Sequence, residues 1–406
     1  MSDSSPAVVD VVIIGAGIAG LWLALRLERA GRTVALIEAH AIGSGQTRAS
    51  QGIIHGGTKY ALTNRLTGAS ESIRAMPARW KAALAGEGEI DLTGAAVLSP
   101  CQHLFSAEAL ASRVATFFAA RVMQNRARTT PRARRPAFLA PPSFRGSVYE
   151  LDEIVLDLPS VVALLAQRLR GPALLVQRDG LRFDAAHRDA MTVLIEHERG
   201  RARIEAGRVV CAAGRGNEAL LAGAGLDAGA AQRRPLHMVM ARGAIEHPIF
   251  AHCLGAGPRP RFTITSHDWS SDSQRVWYIG GEVAESGVKR SCLEQIAFAR
   301  DEVARVLPWL NLEGLEWEAF LIDRAERAQP GGVRPDEPTI LEQGPLIFAW
   351  PTKLAFAPLL ADLIVDRVER VGAACKADLA PLIGWPRPPL AQPPWKEPRP
   401  WHTFDR

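Results

Sequence analysis

Cysteines are few in this chain, and none of them lies close to another. Among 406 residues there are 5 cysteines, and no two of them have the spacing Cys-x-x-Cys. A zinc cluster or a dithiol redox pair commonly uses that spacing, and a disulfide-stapled fold needs a higher cysteine density. The sequence therefore predicts a reducing compartment and no metal site.

Long apolar runs are also missing. The uncharged stretch from Val11 to Leu25 is 15 residues long, whereas a membrane-crossing helix needs about 20. The residues before it lack the basic segment of a secretory signal. We therefore expect a cytoplasmic protein without an integral membrane segment.

Acidic residues are absent from positions 109–149, a stretch that is rich in arginine. Such a block is commonly a solvated loop or pairs with acidic groups elsewhere on the chain. It could instead contact an anion, a nucleic acid or an anionic membrane surface. The net charge of +5 is too small to decide between these alternatives. The arginines are Arg113, Arg121, Arg126, Arg128, Arg132, Arg134, Arg135 and Arg145.

The overall composition is that of a globular protein. The chain is 47% hydrophobic and 22% charged, which excludes disordered, collagen-like and coiled-coil classes. Its length predicts two or three domains, or one large composite domain.

The N-terminal residues have the pattern of a dinucleotide-binding βαβ unit. Val8 to Ile14 predicts a strand buried on both faces, a leucine-rich helix follows, and Val34 to Ile37 predicts a second strand. The glycines between the first strand and the helix have the spacing G-x-G-x-x-G, which permits a tight turn, close approach of a pyrophosphate, and close packing of helix on strand. These glycines are Gly15, Gly17 and Gly20.

Glu38 ends the second predicted strand, where a carboxylate can accept both hydroxyls of an adenosine ribose and would repel the phosphate of NADP. The segment 43–60 that follows is too polar and glycine-rich for a core element. A loop of this kind can run beneath a cofactor that is longer than NAD.

These segments resemble the FAD-binding start of the D-amino-acid oxidase superfamily, nearest to its glycerol-3-phosphate dehydrogenase and L-2-hydroxyglutarate oxidase branches. The resemblance rests on Glu38, the Ser-Gly-Gln-Thr-Arg block at 44–48 and residues 52–63, and it continues in later segments. One departure is that residues 350–353 replace a glycine-rich flavin loop of the family. The later segments are 208–214, 260–281, 327–329 and 349–355.

The resemblance and the order of predicted elements imply an α/β fold. We expect a Rossmann-like FAD-binding domain with an inserted mixed α+β substrate domain. The FAD-binding domain is predicted to comprise residues 8–90, 150–230 and 335–372, and the substrate domain residues 91–149 and 231–334. Residues 376–406, rich in proline and tryptophan, are predicted to form an extended tail over the body or over a neighbouring subunit.

The implied cofactor is FAD, and three parts of the chain are predicted to contact it. They are the glycine turn with Glu38, the polar loop, and the turns after two late strands. The residues are Gly15, Gly17, Ile18, Ala19, Gly20, Glu38, Ala39, Ser44, Gln46, Thr47, Arg48, Ser50, Gly52, Ile53, Ala213, Gly214, Thr352, Lys353 and Leu354.

Oxidation of a C–H bond by a flavin requires a base near the substrate and a positive group near the flavin edge. His55 is the candidate base or flavin contact, and a covalent bond from it to the flavin is an open alternative, as in some relatives. Lys353 is the candidate positive group, while Arg327 and Arg324 are candidates for binding an anionic substrate.

We therefore expect hydride transfer from a small, anionic 2-hydroxy acid or polyol phosphate to FAD. The nearest alternative is oxidation of an amine or amino acid on the same fold. Two further alternatives use the arginine block: an RNA-associated or scaffold flavoprotein, and a dehydrogenase at the membrane surface that reduces quinone. The sequence leaves open whether oxygen or quinone accepts the electrons.

Overall fold

The fold was analysed in a computed structural model of the chain. The structure describes residues 5–57, 68–106, 127–187, 190–255, 259–269, 274–370 and 375–404. In this part of the chain, no helix combines the length and the apolar character that crossing a membrane requires.

The described strands fall into two large sheets and one two-stranded pair. In chain order the strands are β1 Ala7–Ile14, β2 Val34–Glu38, β3 Val97–Ser99, β4 Gln102–Ser106, β5 Ala127–Thr129, β6 Val148–Leu151, β7 Val155–Leu156, β8 Ala173–Leu175, β9 Leu181–His187, β10 Ala190–His197, β11 Gly200–Cys211, β12 Ala231–Gly243, β13 Ala251–Leu254, β14 Pro260–Asp268, β15 Arg275–Gly280, β16 Glu316–Arg327, β17 Thr339–Gln343, β18 Leu346–Trp350 and β19 His402–Thr403. The α-helices are α1 Ile18–Arg29, α2 Gly68–Leu84, α3 Leu158–Arg168, α4 Asn217–Gly223, α5 Glu282–Ser286, α6 Cys292–Val306 and α7 Ala357–Glu369.

The first sheet contains the predicted βαβ unit. Its order is β17-β18-β11-β1-β2-β8, and β10 and β9 continue it from β11. In this order, adjacent strands from β18 through β11, β1 and β2 to β8 run parallel. Val11 and Ile13 belong to the core beneath α1 and α7, whereas Val12 and Ile14 belong to the core on the other face. Because both faces are buried, β1 reads as a nearly continuous apolar run.

The second sheet has the order β19-β16-β12-β15-β14-β13-β4-β6-β5. The predicted antiparallel pair is present as β14 and β15, with Thr265 opposite Tyr278. Helix α6 covers one face, and Ile296 and Val303 pack there with strand residues such as Trp317. A capping box at Ser291 fixes the start of this helix.

The first sheet takes its strands from residues 7–38, 173–211 and 339–350, and the second from 102–151, 231–327 and 402–403. The domain boundaries given above stay a prediction. Strand β9 and the first half of β11 were not predicted, because charged and apolar residues alternate there and one face is solvated.

The C-terminal segment lies along both sheets. Backbone bridges join Asp378 to Val8 and Leu390 to Ile42. The indole of Trp385 donates a hydrogen bond to a backbone oxygen of β8 at 2.8 Å. Trp395 is buried, and β19 pairs with β16. This segment therefore links β1 and the loop after β2 to the edge of the second sheet.

Candidate functional site

The glycine turn lies at the carboxyl edge of the first sheet. Gly15 has a φ of +106°, and a Cβ added there would lie 2.6 Å from the backbone oxygen of Ala212. A Cβ on Gly20 would lie 1.9 Å from the backbone oxygen of Gly15. Both positions therefore require glycine, one for its backbone conformation and both for close packing.

Helix α1 begins directly after Gly17, which has no side chain to cap the helix, and its first turn holds no acidic residue. The backbone N–H of Ile18 donates to Thr47 Oγ1 at 3.0 Å. The positive end of the helix dipole therefore faces the turn, and no acidic side chain of the helix's first turn offsets it. A site for a negatively charged pyrophosphate requires this arrangement.

Glu38 is buried beside this turn. Its carboxylate accepts hydrogen bonds from the backbone N–H groups of Ala16 and His40, each at 2.9 Å. These bonds fix the carboxylate at the end of β2, where it fits the ribose of an adenine nucleotide.

The polar loop after Glu38 lies between the two large sheets. Gln46 accepts a hydrogen bond from the backbone N–H of Ala325 at 3.0 Å. The side-chain amide of Gln51 donates to the backbone oxygens of Thr263 and Tyr278, at 3.1 and 2.8 Å. The loop is therefore held by three strands of the second sheet, β14, β15 and β16, and it can line an elongated cofactor there.

The turns after β11 and β18 meet at the same edge of the first sheet. Asn217 accepts a hydrogen bond from the backbone N–H of Ala213 at 2.9 Å and donates one to the backbone oxygen of Ala349 at 3.1 Å. Gly214 has a φ of +57°, and Thr352 has a φ of +60°. Thr352 adopts a conformation that glycine favours and that costs a residue with a Cβ about 1 kcal/mol or more. The turn that departs from the family's glycine-rich loop keeps a glycine-like backbone.

The predicted cofactor residues therefore gather around one edge. Ala39 follows β2, Ser50 accepts a hydrogen bond from the backbone N–H of Gly52 at 3.3 Å, and Ile53 bridges to Val155. Leu354 lies in a short turn that leads into α7. A glycine cradle, an uncapped helix start and a buried carboxylate together fit the adenosine diphosphate part of FAD.

A family model described as FAD dependent oxidoreductase, the DAO family, matches residues 10–367. The chain belongs to this family. The predicted superfamily, fold class, cofactor and enzyme class are thereby confirmed: the protein is an FAD-dependent oxidoreductase.

A probable FAD-dependent oxidoreductase from Pseudomonas aeruginosa is 47% identical to the chain over 390 residues, covering 95% of this chain and 97% of the relative. The crystal structure of an FAD-dependent oxidoreductase from the same organism superposes with a TM-score of 0.82 at 42% identity, covering 96% and 98% of the two chains.

More distant DAO-family structures share the fold alone. Glycine oxidase from Geobacillus kaustophilus superposes with a TM-score of 0.63 at 19% identity, covering 92% of this chain and 98% of that chain. L-α-glycerophosphate oxidase from Mycoplasma pneumoniae, with FAD bound, gives 0.64 at 13% identity, covering 91% and 97%. A glycerol-3-phosphate dehydrogenase from Mycobacterium tuberculosis is 40% identical over 58 residues, 14% of this chain and 11% of that protein. The predicted branch therefore stays a prediction.

His55 lies in the loop next to the predicted cofactor residues and contacts a buried carboxylate. Its Nδ1 is 3.0 Å from Glu153 Oε2, and the backbone N–H of Gly56 donates to Glu153 Oε1 at 3.0 Å. His252, on β13, stacks on His55 with ring centroids 5.8 Å apart, and its Nε2 lies 3.9 Å from Glu153 Oε2. Burial alone would raise the pKa of Glu153, but the hydrogen bonds and charges of His252 and His55 outweigh burial and lower that pKa well below its usual range.

The three positively charged candidates, Lys353, Arg324 and Arg327, each contact a different partner. Lys353 is 9% exposed, with Nζ 3.5 Å from the backbone oxygen of Asp336. Arg324 pairs with Glu285 at 2.9 Å, and Arg327 donates to the backbone oxygen of Ile340 at 2.8 Å.

Burial lowers the pKa of Arg324, against the opposing effect of Glu285, and neighbouring arginines lower it further. Glu285 pairs with both Arg324 and Arg259, so a substrate anion bound by Arg324 would share this guanidinium with Glu285. The roles of all three side chains stay predictions.

The sequence did not reveal several residues that position the site. Glu153 and His252 lie far from His55 in the chain. Asn217 and Gln51 form hydrogen bonds with backbone groups, and a sequence pattern does not reveal such bonds. Arg48, predicted to contact FAD, pairs with Glu397 of the C-terminal segment. For Glu153 the sequence held one weak signal: the acidic pair Asp152 and Glu153 follows a mostly apolar strand.

Arg113, Arg121 and Arg126 of the arginine block lie outside the described residues. The guanidinium of Arg135 lies 5.1 Å from the ring centroid of Phe144 and donates to the backbone oxygen of Gly146 at 3.1 Å. Contact of this block with a nucleic acid or a membrane surface stays a prediction. The exposed members of the block are Arg128, Arg132, Arg134 and Arg145.

His267, another histidine of the second sheet, is buried against Trp395 with ring centroids 4.2 Å apart. Burial lowers the pKa of His267 from 6.5 to about 3. Between these two values the unfolded chain binds the proton and the folded chain does not, so the stability falls as the pH falls below 6.5. From neutral pH to about pH 5, this group is expected to cost the wild type about 2 kcal/mol of unfolding free energy.

His267→Gln removes this titration, and urea unfolding of wild type and variant at neutral pH and at about pH 5 measures the difference. The matched control is His247→Gln, at a partly exposed histidine. Equal acid sensitivity of the wild type and His267→Gln would show that His267 is not the group responsible.

Proposed function

We propose that this FAD-dependent oxidoreductase oxidises the CH–OH group of a small, anionic 2-hydroxy acid or polyol phosphate. The observation that carries the proposal is the pairing of His55 with the buried carboxylate of Glu153. His55 lies in the loop that continues from the predicted cofactor residues, and Glu153 lies between β6 and β7. We infer that a base at His55 reaches a substrate at the flavin.

FAD, when bound, supplies the acceptor for the hydride of the substrate C–H bond. An alcohol must also lose its hydroxyl proton to become a carbonyl, so its oxidation gains directly from a positioned base. A neutral amine can lose a hydride without losing a proton, because the nitrogen lone pair stabilises the product cation. A base supported by a carboxylate therefore fits an alcohol substrate. An amino acid arrives as ammonium and also has to lose a proton, so the substrate panel separates the two classes.

The contacts of His55 define the proposed proton route. When Nδ1 donates to Glu153, Nε2 is the nitrogen that accepts a proton. The low pKa of Glu153 keeps its carboxylate ionised, so that it stabilises the imidazolium formed when His55 takes the hydroxyl proton. In this proposal His55 is the catalytic base and Glu153 positions it.

Positive side chains near β12 and β16 support an anionic substrate. Arg324 and Arg327 lie on β16, and Arg234 lies opposite Arg324 on β12. Arg234 pairs with the buried Glu326 at 3.2 Å, and Arg324 pairs with Glu285. Arg327 donates to a backbone oxygen, so its positive charge is the one we propose for a substrate carboxylate or phosphate, with Lys353 near the flavin edge.

The test is anaerobic bleaching of the protein-bound flavin by a panel of substrates. The panel contains 2-hydroxy acids, glycerol 3-phosphate, amino acids and N-methyl amino acids, each at equal concentration. We expect a hydroxy acid or polyol phosphate to bleach the flavin, and Arg327→Met to raise the required concentration by about tenfold or more. Bleaching by an amine or amino acid, with none by any hydroxy compound, would overturn the proposal.

A further inference from the structure

A thiol, a carboxylate and an imidazole, all of which can bind metals, lie close together where the C-terminal strand pairs with the second sheet. Cys292 is the first residue of α6, Glu318 lies on β16, and His402 lies on β19. One donor atom from each lies within 4.8 Å of the others. Pairing of β19 with β16, in which His402 is opposite Trp317, brings His402 to this position.

Glu318 is buried, and half of its carboxylate lacks a hydrogen bond. Oε1 accepts from the backbone N–H of Ala319 at 2.8 Å and from Cys292 Sγ at 3.2 Å. Oε2 has no hydrogen-bond partner in the described part of the chain, although the residue is only 3% exposed. A buried acceptor in this state is unfavourable unless another group, such as a cation, binds it.

We propose that Cys292, Glu318 and His402 bind a zinc ion that fixes the C-terminal strand to the second sheet. Thiolate, imidazole and carboxylate are all zinc ligands, and the combination with sulfur disfavours magnesium and calcium. Bonds of about 2.0–2.3 Å place donor atoms of a tetrahedral site roughly 3.3–3.8 Å apart, so small side-chain movements suffice. Water would complete the coordination.

Charge and proton balance are satisfied in this site. Binding of zinc releases the thiol proton of Cys292 to solvent, and the thiolate and the carboxylate then match the two positive charges of the ion. No group is oxidised or reduced. Arg399 of the C-terminal segment also acts on Cys292, and it shares the carboxylate of Glu397 with Arg48.

The other donor clusters of the described residues carry weaker arguments. His55, Glu153 and His252 belong to the catalytic site already described. Cys101, His103 and Glu150 are all half-buried, and none of their polar atoms is a buried group without a hydrogen bond.

The proposed ion would order the segment that precedes β19. That segment contains Trp395, which packs on His267 and Tyr278, and Glu397, which pairs with Arg48 of the cofactor loop. The inference is independent of the proposed substrate, and it goes beyond that function because it assigns a structural metal to this enzyme.

The experiment measures zinc in the FAD-loaded, full-length protein by elemental mass spectrometry after incubation with equimolar zinc and desalting. We expect about one zinc per chain in the wild type and at least about a tenfold loss in Cys292→Ser and in His402→Ala. His402 is partly exposed, so its variant should fold and keep its FAD. Zinc is also expected to slow proteolytic cleavage after residue 390 in the wild type, with no effect in His402→Ala.

Cys101→Ser and His103→Ala are the matched controls and should keep the zinc of the wild type. Absence of retained zinc in the wild type would overturn the proposal. Zinc that is lost in the Cys101 and His103 variants but kept in the Cys292 and His402 variants would also overturn it.

Discussion

Replacement of Gly20 by alanine is expected to give a protein that purifies almost without FAD. The added Cβ would lie 1.9 Å from the backbone oxygen of Gly15 and 3.3 Å from the side chain of Ile13. Helix α1 would have to move away from β1, which would open the glycine turn that is predicted to receive the pyrophosphate. Overpacking of this kind costs about 1–3 kcal/mol or more, so we expect FAD affinity to fall by about 100-fold.

The visible flavin absorbance per chain and titration of apoprotein with FAD measure this effect. Gly223→Ala is the matched control, because Gly223 lies in α4 and an added Cβ has no atom within 4 Å. Far-ultraviolet circular dichroism shows whether each variant is folded. Stoichiometric FAD of unchanged affinity in folded Gly20→Ala would contradict the assigned cofactor turn.

His55→Ala is expected to slow reduction of the bound flavin by about 10²–10⁴-fold, because it removes the proposed base. FAD content should stay near that of the wild type, because the glycine turn and Glu38, which fit the adenosine diphosphate part of FAD, are unchanged. Anaerobic stopped-flow measurement with the substrate identified by bleaching gives the rate directly. Added imidazole is expected to restore part of the rate, because it can occupy the space left by the side chain.

Glu153→Gln tests the positioning role separately. It should lower the reduction rate by a smaller factor, and imidazole should not restore that rate because His55 still occupies its place. His103→Ala, at a half-buried histidine of β4, is the matched control and should reduce its flavin at the wild-type rate. An unchanged rate in His55→Ala would eliminate this residue as the base.

Local patterns predicted the strand, turn and helix on which the cofactor-site prediction rests. The glycine spacing after β1 and the carboxylate at the end of β2 lie within one βαβ unit, whose geometry is set by neighbouring residues. The apolar runs at β8, β11 and β18 were also recognised, because these strands are buried on both faces.

The chemical half of the site depended on contacts between distant residues. His55 and Glu153 are 98 residues apart, and Arg324 and Glu285 are 39 apart. The sequence offered 42 arginines without showing which of them are already paired with acids. Only the folded chain shows that Glu285 pairs with Arg324 and Arg259 and that Glu397 pairs with Arg48 and Arg399.

By itself, the sequence determined the family and the cofactor, because the glycine turn and the carboxylate that indicate them lie within one βαβ unit; the edge of the sheet where the cofactor binds stays a prediction. Tertiary structure alone decided which carboxylate contacts His55 and which donor side chains lie together where the C-terminal strand pairs with the second sheet. The physical reason is that proton transfer and metal binding act over a few ångströms between side chains, and only the packing of two sheets brings these side chains that close.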